Sequence, residues 1–166
     1  MLDFEGFVAD RGQSLLRLAY LLTGDAHLAE DLTQDALAKA YRHWTRVCRA
    51  DHPEAYVRRI LVREQLSWWR RSSRRESPHP SPMDGREPVV EDRYPSLEQS
   101  EMAATMLDSL PKKQRTVLIL RFHLDLSDDE IAVLMNTSPS TVRSNASRAL
   151  ATLRGSVSAL EQERTL

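Results

Sequence analysis

Apolar residues recur at helical spacing through most of this chain. From Phe4 to Leu22, the positions Phe7, Leu15, Leu18, Ala19 and Leu22 fall on or near one face. Thr23-Gly24-Asp25 ends that helix and caps the next. The spacing predicts a second helix from about Ala26 to Trp44, with Leu28, Leu32, Leu37, Ala40, Tyr41 and Trp44 as its buried stripe. Thr45 to His52 reads as a loop. Pro53 then opens a third helix that turns Val57, Ile60 and Leu61 inward.

Periodicity stops at the next stretch. Five of the eight prolines lie between Glu76 and Ser96, so residues 73–96 read as a semi-stiff linker, acidic after Pro82. A second helical unit follows over 97–166. One helix is expected from Leu97 to Leu110, with Met102, Met106, Leu107 and Leu110 apolar. Another opens at Pro111, with Val117, Leu118, Leu120 and Phe122 as core candidates. The fold class is therefore all-α: two small helical domains, 1–72 and 97–166, on a flexible tether.

Within the second unit, Leu126 to Leu153 predicts two helices joined by a tight turn. Ser127 and Glu130 form a capping box ahead of Ile131, Ala132, Leu134 and Met135. Asn136, Thr137 and Ser138 make a polar break, and Asn tolerates a left-handed backbone. Ser138-Pro139 is a second start signal. In the second helix Val142, Ala146, Ala149, Leu150 and Leu153 face inward, while Ser140, Arg143, Ser144, Ser147 and Arg148 face out. This is the arrangement of a DNA-reading helix-turn-helix, in which arginine forks onto guanine or phosphate. The tail after Arg154 is short and is assigned no domain.

Charge changes the picture locally. The net charge is −1 with a pI near 6.5, so the chain is no bulk polyanion binder. Positive charge concentrates on the third helix, where Arg58, Arg59, Arg63, Arg70 and Arg71 surround Trp68 and Trp69. Arginines hold phosphate and an aromatic face stacks on an unpaired base, so this helix suits DNA that is being opened. One of the two tryptophans is expected to be buried and the other available. Lys112, Lys113 and Arg115 add positive charge near the helix-turn-helix.

Candidate chemistry adds little. The only cysteine, Cys48, excludes an internal disulfide and suits a reducing cytosol. His43, Cys48 and His52 lack a fourth ligand or a C-x-x-C pair, so neither metal nor cofactor is expected. No local motif of a nucleophile, phosphate loop or metal protease occurs, and the chain reads as a binder rather than an enzyme. No apolar run reaches membrane-spanning length and no signal pattern opens the chain, so a cytoplasmic protein without membrane insertion is expected.

In this order the blocks AEDLTQDALAKAYRHW (Ala29–Trp44), AYVRRILVREQLSWWRR (Ala55–Arg71) and LPKKQRTVLILRFHLDLSDDEIAVLMNTSPSTVRSNASRAL (from Leu110) resemble the group IV, or extracytoplasmic-function, sigma factors of the sigma-70 family. The likeness is strongest to small actinobacterial members of the SigE type and covers nearly the whole chain. It implies that Asp31, Leu32, Gln34, Asp35 and Trp44 meet the clamp helices of the RNA polymerase β′ subunit. It implies that Arg58, Arg59, Arg63, Trp68, Trp69, Arg70 and Arg71 bind and open the −10 promoter element, with a flipped base entering the loop Val47 to His52. The linker would thread toward the RNA-exit path. Ser138, Ser140, Thr141, Arg143, Ser144, Asn145, Ser147 and Arg148 would read the −35 element, and their module would meet the β flap. An anti-sigma factor is a further implied partner. The chain departs from the family where Asn145 replaces a common Lys or Arg, and where Asn136 replaces Gly. Two other readings stand beside this one: a self-sufficient helix-turn-helix regulator that binds an operator as a dimer, and, with less support, a nuclease.

Overall fold

The computed structural model describes residues 2–74 and 103–165, and among them every regular element is helical. The chain divides into two compact units, Met1–Arg93 and Tyr94–Leu166. Most of the expected linker, 75–96, lies outside the described residues, as do 97–102 of the helix expected from Leu97.

The first unit packs α1 (Phe4–Thr23), α2 (Ala26–Arg42), α3 (Trp44–Arg49) and α4 (Pro53–Arg74) around one core. Asp3 caps α1 by accepting the Gly6 amide at 3.2 Å, and Asp25 caps α2 by accepting the Leu28 amide at 3.1 Å. Between them Gly24 takes a left-handed φ of 67°, which returns its N–H to the Tyr20 carbonyl at 2.8 Å. The buried stripe of α1 is Phe7, Leu15, Leu18, Ala19 and Leu22, as the spacing predicts. The inner face of α2 is small: Ala29, Ala36 and Ala40 are fully buried beside Leu32 and Thr33. These short side chains let α2 lie close to α1 and α4, while Leu61, Val57, Val62 and Leu66 of α4 fill the volume between. One polar bond crosses that core. Gln65 is fully buried and donates Nε2–H to the Leu22 carbonyl at 2.9 Å, near the end of α1 where carbonyls lack helical partners.

Two sequence expectations fail here. The helix from Ala26 breaks at His43, and Trp44–Arg49, expected as part of that helix and a loop, forms the separate α3. Its signal was present: Trp44, Val47 and Cys48 stand at i, i+3 and i+4. Tyr41, expected in the buried stripe, is 63% exposed, because the core is reached by the alanine face instead.

The second unit holds α5 (103–108), α6 (Lys112–Leu118), α7 (Asp128–Met135) and α8 (Pro139–Arg164). After α6 the chain widens into a π-helical turn, Ile119–His123, in which the Leu124 amide reaches back to the Ile119 carbonyl at 3.2 Å. The wider turn rotates the side chains less per residue, so the apolar stripe slides off the core. Ile119 and Leu120 stay buried, whereas Phe122, expected inside, is 61% exposed. The capping box of Ser127 and Glu130 is formed in both directions, and Asn136 ends α7 at a φ of 52°. Ser138 accepts the Thr141 amide at 3.2 Å with Pro139 at the first position of α8. Ile131, Ala132, Val142, Ala146 and Ala149 seal the angle between α7 and α8. Leu150 and Leu153 are half-buried, and α8 runs on to Arg164, so the tail after Arg154 continues the helix.

Asn136 carries a measurable cost. A non-glycine residue at positive φ is strained, so Asn136→Gly is expected to stabilise the second unit by about 0.5 kcal/mol. Asn136→Val should destabilise it by more than 1 kcal/mol, since a β-branched residue tolerates that region least. Urea unfolding followed by circular dichroism measures both; equal midpoints for the two variants would refute this account.

Candidate nucleic-acid interface

On α4 the inward positions Val57, Leu61 and Gln65 leave the opposite side to Arg59, Arg63 and Arg70. At about 100° per residue these three arginines lie within roughly 40° of one another, and all three are exposed with Arg71 nearby. Arg58 belongs elsewhere. Its guanidinium is half-buried and engaged by Glu54, and it reaches Ser14 Oγ at 3.3 Å. Arg11 meets the other oxygen of Glu54 at 3.2 Å, so this cluster ties the start of α4 to α1. Trp68 and Trp69 are both half-buried, against the expectation of one inside and one out.

The short α3 adds exposed positive charge that the loop expectation missed. Arg46 and Arg49 are exposed, one helical turn apart, and α3 packs on α4. Val47, the start of the expected base-receiving loop, is fully buried and anchors α3, which leaves His52 and Asp51 exposed at the connection to α4.

A second surface of different chemistry lies on α2. Asp31, Gln34 and Asp35 are exposed, opposite the alanine face. No ion pair or hydrogen bond to another described residue engages their side chains. Leu32, grouped with them in the sequence, is 3% exposed and supports the helix from beneath. Trp44 is half-buried, with its ring edge-to-face against Phe4 at 5.2 Å and Phe7 at 5.3 Å. Its indole N–H donates to the Leu2 carbonyl at 3.0 Å. Tyr41, which the sequence placed in the core, is exposed two helical turns along from Gln34, with its ring 4.9 Å from Phe4. It is an exposed aromatic on a polar face.

In the second unit Ser140, Thr141, Arg143, Ser144, Ser147 and Arg148 are exposed on α8, and Asn145 is half-buried at the edge of that face. The Ser138 hydroxyl is occupied by the helix cap and lies 3.1 Å from Ser140 Oγ and 2.9 Å from Thr141 Oγ1. Lys112 and Lys113 are exposed. Arg115, expected beside them as surface charge, is buried: its Nε–H donates to the Leu107 carbonyl at 3.1 Å and its Nη2 meets Asp108 at 2.8 Å. It closes the end of α5 and offers nothing to a ligand.

No group of three or more His, Cys, Asp or Glu among the described residues is placed to hold a metal ion, and no described helix is long and apolar enough to cross a membrane.

A helical unit with a basic, aromatic helix and a second unit with a helix-turn-helix define an all-α protein of the transcription-factor type. Residues 7–75 match the model of sigma-70 region 2, and residues 100–153 match that of sigma-70 region 4. The chain is 37% identical over 157 residues to the RNA polymerase sigma-E factor of Streptomyces antibioticus, covering 93% of this chain and 84% of that protein. The sigma-E factor of Streptomyces coelicolor is 35% identical over 158 residues, covering 93% and 85%. A solved structure of the sigma factor RpoE with the anti-sigma factor NepR from Bartonella quintana has a similar fold, with TM-score 0.61 and 23% identity, covering 92% of this chain and 95% of that one. The chain belongs to the sigma-70 family of RNA polymerase sigma factors, in the extracytoplasmic-function group, and is similar to its actinobacterial sigma-E members.

Proposed function

We propose that this chain is the promoter-specificity subunit of RNA polymerase, without an active site of its own, and that its two exposed surfaces divide the work. The observation that carries this is the pairing on one small unit: a polar, acidic α2 face with no engagement among the described residues, and a basic α3–α4 surface beside two half-buried tryptophans. A face of Asp31, Gln34, Asp35 and Tyr41 suits a protein partner, the β′ clamp helices of core polymerase, with Trp44 and Leu32 holding it in place. Arg59, Arg63, Arg70 and Arg71, extended by Arg46 and Arg49, suit the −10 element and the strand released from it; Arg58 serves the fold. Ser140, Thr141, Arg143, Ser144, Ser147 and Arg148 read the −35 element on α8. The helices of the first unit run to the end of α4 at Arg74, two residues beyond the boundary expected at 72, and the second unit, expected over 97–166, meets the β flap. A net charge of −1 accords with a subunit that draws much of its DNA affinity from polymerase. An anti-sigma factor is a further partner, on the ground that the Bartonella relative of similar fold was solved with one. A self-sufficient dimeric regulator would leave the α2 face without a role.

Transcription by core polymerase with and without the chain tests this. Promoter-specific transcripts are expected only when it is present; equal output from core enzyme alone would refute the proposal. Replacing both Arg63 and Arg70 with alanine should reduce the magnitude of the slope of log K against log salt by about 1.4, near 0.7 for each lost single-strand phosphate contact. An unchanged slope would remove these two residues from the strand-binding surface.

A further inference from the structure

Arg11 and Arg58 with Glu54, Lys39 with Glu64, and Arg115 with Asp108 are ion pairs that tie helix to helix or close a helix end. Asp128 does not stop at one partner. It is the first residue of α7, and its side chain is about three-quarters buried. Its Oδ1 accepts from Arg121, through Nε at 3.1 Å and through Nη2. That guanidinium is itself mostly buried, in the π-helical turn before the motif. The other oxygen, Oδ2, lies 3.9 Å from Nη1 of Arg143, which is on the exposed face of α8. An acid at the start of α7 suits the helix dipole, and the bonds from Arg121 satisfy Oδ1. Neither accounts for a second cation drawn toward Oδ2.

We propose that Asp128 is a positioning residue: it aims Arg143 at the base pair it reads and so sets sequence discrimination without touching DNA. The inference rests on the assignment of Arg143 to the −35 element. Arginine is long and rotamer-rich, and recognition requires its planar fork to face one base edge. At 3.9 Å the contact is an ion pair without a short hydrogen bond, so it limits where the guanidinium points yet does not hold it away from a base. The carboxylate is rigid because Arg121 holds it. It also places negative charge beside incoming phosphates, so the device gives up general DNA affinity to gain orientation.

The test uses holoenzyme reconstituted from the full chain and core polymerase, selecting from a promoter library randomised across the −35 element. Preference is read as a ratio between bases at each position in one tube, which cancels the fraction of folded protein. Arg143→Ala is expected to flatten one position by about tenfold, within the range of a bidentate arginine–guanine contact. Asp128→Asn keeps an acceptor for Arg121 but loses the charge. It should flatten that same position by about threefold or more, while binding of a promoter without a −35 element stays level or rises. Asp128→Glu restores the charge and should recover part of the preference. Loss at Arg143's position alone, with partial recovery in Asp128→Glu, supports the proposal. Full preference in Asp128→Asn, or a uniform fall at every position together with weaker general binding, overturns it. If Arg143→Ala flattens no position, the assignment of Arg143 has failed and this inference fails with it.

Discussion

Replacing Asp31 and Gln34 together with alanine is expected to weaken binding of core RNA polymerase on the order of a hundredfold while leaving the fold intact. Both side chains are exposed on α2, and neither bonds another described residue, so truncation removes nothing that unit 1 is shown to use. Interface energy concentrates in a few residues, and two losses of about 1.4 kcal/mol each, tenfold apiece, compound to the stated factor. Tyr41→Ala should add to the loss, because an exposed aromatic beside polar neighbours has the character of an anchor. Leu32→Ala should behave differently. Leu32 is buried, so its loss is expected to lower the melting temperature, with binding falling only as folded protein falls. Competition against a labelled sigma factor for core enzyme measures all four substitutions. Unchanged affinity in the Asp31→Ala, Gln34→Ala protein would refute the α2 face as the docking surface.

The second large effect concerns stability. Leu61→Ala should destabilise the first unit by about 3 kcal/mol, because this side chain is fully buried on α4, the helix that packs against both α1 and α2. For a domain of this size that is a fall in melting temperature of about 15 °C. The chain's three tryptophans, Trp44, Trp68 and Trp69, all lie in the first unit, so tryptophan fluorescence follows its unfolding specifically. A shift below a few degrees would mean that the small alanine face of α2 closes the cavity, and that the core is less closely packed than it looks. The same substitution should weaken function only through stability, since Leu61 reaches neither exposed surface.

Several features could be read without coordinates because each depends on neighbours in the chain. The caps at Asp25, Ser127 and Ser138, the left-handed Asn136 and the stripe of α1 are set by residues within a turn of one another, and hydrogen bonds at that range form wherever the helix forms. The outward face of α8 followed from the same logic, since Val142, Ala146 and Ala149 left only one side for Arg143 and Arg148. The errors share the opposite cause. Tyr41 looked like core by period, but the partners of α2 approach over Ala29, Ala36 and Ala40, which leaves the ring outside. Arg115 looked like surface charge, but the end of α5 takes its guanidinium through Leu107 and Asp108. Arg58 was counted with the DNA-facing arginines until Glu54 and Ser14 engaged it.

By itself, then, the order of residues determined an all-α chain, its helix starts, its turn chemistry and the family likeness carried by three blocks. Those properties rest on local hydrogen bonding and on period. Which apolar residue is inside, and which arginine remains available to a ligand, depended on what each helix met across the core. Side chains of identical local promise are buried or exposed according to partners distant in sequence, so the separation of Arg63 from Arg58 and of Tyr41 from Leu32 was decided by the tertiary structure alone.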